Sequence, residues 1–82
     1  MNKNFNLEIC SDLNYEGLVV DISYKNDLIA TLNQDKDIDN IEIKLYSIKV
    51  GTSLKLSYKD FVDVLEKAKK LLIEINKKNE KM

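Results

Sequence analysis

Carboxylates are the one reactive group this chain concentrates. Eight of its 14 acidic residues fall in one stretch: Asp12, Glu16, Asp21, Asp27, Asp35, Asp37, Asp39 and Glu42. Only Lys25 and Lys36 share it, so residues 12–42 carry a charge of −6 in a chain whose net charge is −1. Gathered on one edge of a domain, such groups would attract a basic partner, repel nucleic acid and speed association. The plainer reading is that they keep an edge strand and its loops soluble.

Other chemistries find little to work with. The chain has no His, Arg, Trp or Pro, and Cys10 is its single cysteine. General acid–base catalysis without histidine needs a buried carboxylate or lysine with a shifted pKa, and nothing in the sequence marks one. A Ser or Cys nucleophile lacks its histidine, and two isolated glycines make no phosphate cradle. Asp35-Lys36-Asp37-Ile38-Asp39-Asn40 opens like a calcium loop, but Asn40 stands at the glycine position and Tyr46 where the bidentate acid belongs. The expectation is no enzyme, no cofactor and no metal.

Cys10 cannot form an internal disulfide and has no cationic neighbour in sequence to lower its pKa, so it reads as a small, buried or half-buried apolar side chain. Lys67, Lys69, Lys70, Lys77, Lys78 and Lys81 raise the question of nucleic acid. They alternate with Asp60, Asp63, Glu66, Glu74 and Glu80, the pattern of a solvated helix surface, and no arginine is present for bidentate contacts. Direct nucleic-acid binding is therefore not expected.

The elements that must position these groups follow from periodicity. At 82 residues, with 44% apolar and 33% charged, the chain reads as a single globular domain whose function lies on its outer surface. No apolar run reaches the length of a membrane span, and no signal-peptide core follows Met1-Asn2-Lys3. A cytoplasmic location is expected. Phe5, Leu7 and Ile9 alternate with polar residues as a first strand. Leu18 to Tyr24 and Leu28 to Asn33 form a hairpin about Asn26-Asp27. After an acidic loop from Gln34 to Asn40, Ile41 to Tyr46 makes a fourth strand, and Leu54-Lys55-Leu56 a short fifth after the Gly51-Thr52-Ser53 turn.

The period then changes to about 3.6. Phe61, Val64, Leu65, Ala68, Leu72 and Ile75 form one helical stripe, and Ser57 with Asp60 suggests a capping box. Asp63–Lys67, Glu66–Lys70 and Glu74–Lys78 are acid-first pairs one turn apart. The spacing predicts strands over about 4–57, a helix over about 58–76 and a frayed tail over 77–82. The expected fold is α+β, two layers: an antiparallel meander of four or five strands with one C-terminal amphipathic helix on one face.

Two stretches carry a family resemblance. Ile22-Ser23-Tyr24-Lys25-Asn26-Asp27-Leu28-Ile29-Ala30 matches the pattern aliphatic-x-Tyr-x-x-x-aliphatic-aliphatic-Ala. It is followed by Gln34-Asp35-Lys36, by Asn40-Ile41-Glu42, and by Phe61-Val62-Asp63-Val64-Leu65-Glu66-Lys67-Ala68-Lys69. Together they resemble a family of small bacterial proteins, many of which look like immunity proteins, the cytosolic antidotes to contact-delivered or secreted toxins. The resemblance implies binding and occlusion of a cognate toxin domain, often a basic nuclease, with no small-molecule substrate and no membrane.

On that expectation the contact residues are Asp35, Asp37, Asp39 and Glu42, within a wider field of Asp12, Glu16, Asp21 and Asp27. Tyr15, Tyr24 and Tyr46 are candidate aromatic anchors. Two other readings are open. One is an antitoxin or small regulator of a toxin–antitoxin pair that neutralises a partner and touches DNA or RNA through its lysine-rich C-terminus, and the other a phage-encoded inhibitor that imitates nucleic acid with the same acids.

Overall fold

The computed structural model describes residues 3–46 and 51–80, with side chains through Lys77. Four strands, β1 (Phe5–Cys10), β2 (Val19–Tyr24), β3 (Asp27–Asn33) and β4 (Glu42–Leu45), are followed by one helix, α1 (Tyr58–Glu80). The sheet is a fully antiparallel meander in the order β1-β2-β3-β4. The expected α+β two-layer fold is the observed one, with four strands.

Alternation along the strands decides which side chains meet the helix. Phe5 and Leu7 on β1, Val20, Ile22 and Tyr24 on β2, and Ala30 and Leu32 on β3 face α1 across the register. The helix stripe lies as its spacing demands: Val64, Ala68 and Leu72 are fully buried, and Phe61, Leu65 and Ile75 pack around them. Ser57 caps the helix, its Oγ accepting the Asp60 N–H at 3.3 Å, while its carbonyl accepts the N–H of Phe61 at 2.9 Å.

Several expectations are corrected. The tight turn between β2 and β3 centres on Lys25 and Asn26, with φ of 49° and 72°, one residue before the expected pair; Asp27 already belongs to β3. Two successive left-handed residues give the turn whose twist suits a hairpin. The turn is anchored by the Lys25 N–H, which donates to the Asn4 carbonyl at 2.8 Å.

β3 also breaks the simple period of two. Ile22 pairs with Ala30 but Ser23 pairs with Leu28, so Ile29 is an inserted bulge residue, and both Ile29 and Ala30 are buried. Residues 54–56 form no strand. Leu56 packs on the core, but as part of an irregular connection into the helix, so its alternation with Lys55 reflects one anchored side chain.

The helix runs past the expected end near residue 76, since α1 continues through Glu80. Neither Gly nor Pro interrupts Asn76-Lys77-Lys78-Asn79-Glu80, and Asn76 is tied to the sheet layer, as described below. Lys81 and Met82, and the side chains of Lys78, Asn79 and Glu80, lie outside the described residues.

Candidate functional site

A meander places the β1–β2 and β3–β4 loops at the same end of the sheet. These two loops hold most of the acidic stretch, and one carboxylate joins them. Asp35, at the start of the β3–β4 loop, accepts the backbone N–H groups of Glu16 at 3.0 Å and Gly17 at 3.1 Å. Ionised carboxylates make strong acceptors for paired amides, so Asp35 clips one loop to the other.

Neighbouring acids shape the loops from within. Asp12 Oδ1 accepts the Asn14 N–H at 2.9 Å, and its carbonyl accepts the N–H of Tyr15 at 3.0 Å. Asp37 Oδ1 accepts the Asp39 N–H at 2.8 Å, and both its oxygens bind the Asn40 side-chain amide. Asp and Asn form such self-closed turns because their short side chains reach the backbone two residues on. What remains outward-facing is the exposed carboxylates of Glu16 and Asp39, together with Glu42, which is held at 3.0 Å by Lys36.

The other expected contact residues are placed elsewhere. Asp27 sits at the hairpin on the opposite end of the sheet. Tyr24 lies on the helix side, its ring centroid 4.8 Å from that of Phe5. Tyr15 alone of the three tyrosines is in an acidic loop, half-buried.

Asp21 and Tyr46 belong to a polar ladder that crosses the sheet on the face away from the helix. Thr31 donates to Asp21 Oδ1 at 2.6 Å and bonds the Tyr46 hydroxyl at 2.8 Å, while the Cys10 thiol donates to Asp21 Oδ2 at 3.1 Å. With Thr31 donating to Asp21, its oxygen accepts from Tyr46, so every member has a role. The Asp21 hydrogen bond, then partial desolvation and the charges of Asp21, Glu8 and Asp12, push the Cys10 thiol up to about 11. The thiol is thus held protonated, the opposite of what a nucleophile requires.

Asn76, which is not among the expected site residues, holds the acidic end against the helix. It is buried, accepts the Leu18 N–H at 2.9 Å through Oδ1, and donates through Nδ2 to the Leu18 carbonyl at 3.0 Å. A second Nδ2 bond reaches the Leu72 carbonyl at 3.2 Å, one turn back. The signal was available: Asn76 follows Leu72 by four, so it is a polar residue on the apolar stripe.

Gly17 matters for the same reason, because a Cβ there would stand 2.8 Å from Asn76 Oδ1. Among the described residues, no three His, Cys, Asp or Glu side chains converge as a metal site. No helix of the described chain is long and apolar enough to cross a membrane. No protein-family model matches this chain, and neither a curated protein nor a solved structure matches it.

Proposed function

We propose that this protein is a stoichiometric binding protein, an immunity protein that docks a basic toxin domain, such as a nuclease, against the acidic end of its sheet. The observation that carries this reading is the Asp35 clip, which fixes the β1–β2 loop to the β3–β4 loop. Without it the acids of the two loops would be a diffuse charge along the sequence. With it, Glu16, Asp37 and Asp39 are presented from two tethered loops, beside Glu42 at the start of β4.

A binder of this kind needs a preorganised surface rather than a catalytic group, and rigid loops reduce the ordering cost of association. The bonds within Asp12, Asp35 and Asp37 supply that rigidity and leave Glu16 and Asp39 as the charges a partner meets. A cytoplasmic location and the absence of enzymatic activity belong to the same proposal.

The test is association with the toxin domain encoded beside this gene, followed by surface charge reversal. Glu16→Lys and Asp39→Lys are expected to weaken binding by about tenfold each, about 1.4 kcal/mol. Asp27→Lys, at the far end of the sheet, serves as the control and should leave it unchanged. Equal effects of all three, or none, would overturn the proposal.

A further inference from the structure

Among the described residues the outer edge of β4 is unpaired, and with the apolar face beside it forms a second surface that adjoins the acidic end at Asp39 and Glu42. α1 rests on β1, β2 and β3, and no Cα of β4 comes within 8 Å of the helix, so the helix-side face of β4 has no cover from α1. Ile43 and Leu45 point to that face, since they pair with Leu32 and Ala30, and they are 47% and 70% exposed. Between Ile43 and the helix runs an open groove of about 630 Å³, with the apolar Ile38, Ile41, Leu65 and Ile73 and the charged Asp39, Glu66 and Lys69 in its wall. Leu54 and Phe61 line a further hollow beside Leu45.

Among the described residues the outer backbone edge of β4 is equally open. The Tyr46 N–H donates to the Ile29 carbonyl at 3.1 Å, which sets the phase of the ladder. Glu42, Lys44 and Tyr46 therefore direct their amide groups inward to β3, and Ile43 and Leu45 direct theirs outward. Among the described residues no strand pairs with β4 on its outer side. An unpaired edge beside a partly apolar groove is a template for one more strand.

We infer that the added strand is β4 of a second copy of this chain, joining two four-stranded sheets edge to edge. Residues 41–45, Ile41-Glu42-Ile43-Lys44-Leu45, read aliphatic, acid, aliphatic, base, aliphatic. Antiparallel pairing centred on Ile43 sets it opposite Ile43 of the partner subunit in a hydrogen-bonded pair. The same register sets Glu42 opposite Lys44 of the partner subunit, and the twofold axis repeats that pair. These flanking pairs are not hydrogen-bonded, so their side chains come closest together.

The two neighbouring hydrogen-bonding registers, centred on Glu42 or on Lys44, set like charges face to face and are disfavoured. The twofold axis stands perpendicular to the sheet, so both helices lie on one side. Ile43 and Leu45 of each copy then floor a single cleft between them. The pairing is short, so association is weak and concentration-dependent.

Sedimentation velocity of the full chain over a concentration series tests the inference, with circular dichroism confirming the fold of each variant. The wild type is expected to pass from monomer to dimer as concentration rises. Glu42→Lys and Lys44→Glu should each weaken association by about tenfold, because each turns two attractive pairs repulsive. The double reversal should recover most of that loss. Ile43→Lys, which sets two ammonium groups against each other on the axis, should leave a folded monomer. A wild type that stays monomeric to about 1 mM, where even a weak self-association would register, overturns the inference. A dimer indifferent to Ile43→Lys, or one weakened further by the double reversal, does so as well. If Ile43→Lys does not fold, the charge-reversal series alone decides.

Discussion

Asn76 grips both backbone polar groups of Leu18 at once, accepting the N–H at 2.9 Å and donating to the carbonyl at 3.0 Å. One buried side chain thus joins the last turns of α1 to the residue that precedes β2. Asn76→Ala leaves the Leu18 groups without these partners and should cost about 2–3 kcal/mol in urea unfolding. Gly17→Ala should also destabilise, because its Cβ would stand 2.8 Å from Asn76 Oδ1. Combined, the two changes should cost less than the sum of the singles, since shortening residue 76 removes the collision.

Two acids four residues apart should behave differently. Asp35 accepts two amides across the loops, whereas Asp39 presents an exposed carboxylate. Asp35→Ala is expected to cost about 1 kcal/mol, as loss of a capping carboxylate does. Asp39→Ser should stay within about 0.5 kcal/mol. Chemical denaturation separates them, and it identifies Asp39 as the cleaner probe of partner binding.

Cys10 should be slow to alkylate near neutral pH, since its hydrogen bond to Asp21 and its surroundings push the thiol from 9.0 to about 11. Asp21→Asn removes the charge behind the largest cause and should speed modification, read by maleimide labelling. The linkage has a definite sign. Below pH 9 the thiol is protonated whether the chain is folded or not, and its contribution to stability is fully present. As pH rises from about 9 to about 11 the unfolded chain releases its proton more readily, so that contribution is lost.

Leu72 and Leu65 share the helix stripe but not its depth. Leu72 is fully buried in the core, while Leu65 is half-buried and lines the groove beside β4. Leu72→Ala should cost about 3 kcal/mol and Leu65→Ala about half as much, because the latter leaves no closed cavity.

Tyr46→Phe keeps the ring and removes the hydroxyl that meets Thr31 at 2.8 Å. The expected loss is about 1 kcal/mol in thermal or urea unfolding, with the sheet register intact.

The sequence by itself determined the order of elements, the antiparallel meander and the buried face of the helix. These follow from local rules: alternation in Phe5, Leu7 and Ile9, and the 3.6-residue period from Phe61 to Ile75, are properties of neighbouring residues. It also marked residues 12–42 as the acidic part of the chain. Local rules failed where one side chain did something its neighbours did not announce. Leu54 and Leu56 mimic a strand because two apolar side chains frame a lysine, and Ile29 breaks the period of two because a bulge lets consecutive residues point into the core.

Only the tertiary structure decided what each acid does. Carboxylates of identical type became a loop clip at Asp35, turn closures at Asp12 and Asp37, the centre of a polar ladder at Asp21, and exposed charges at Glu16 and Asp39. The difference lies in which amide or hydroxyl each one reaches: Asp12 and Asp37 close on donors two or three residues on, whereas Asp35 reaches back to Glu16 and Gly17 and Asp21 forward to Thr31. The exposed helix-side face of β4 has the same origin. Its four residues fix a strand, but whether α1 covers them depends on where the helix lands. It lands on β1 to β3 because Phe5, Val20, Ile22 and Leu32 offer the wider apolar surface there.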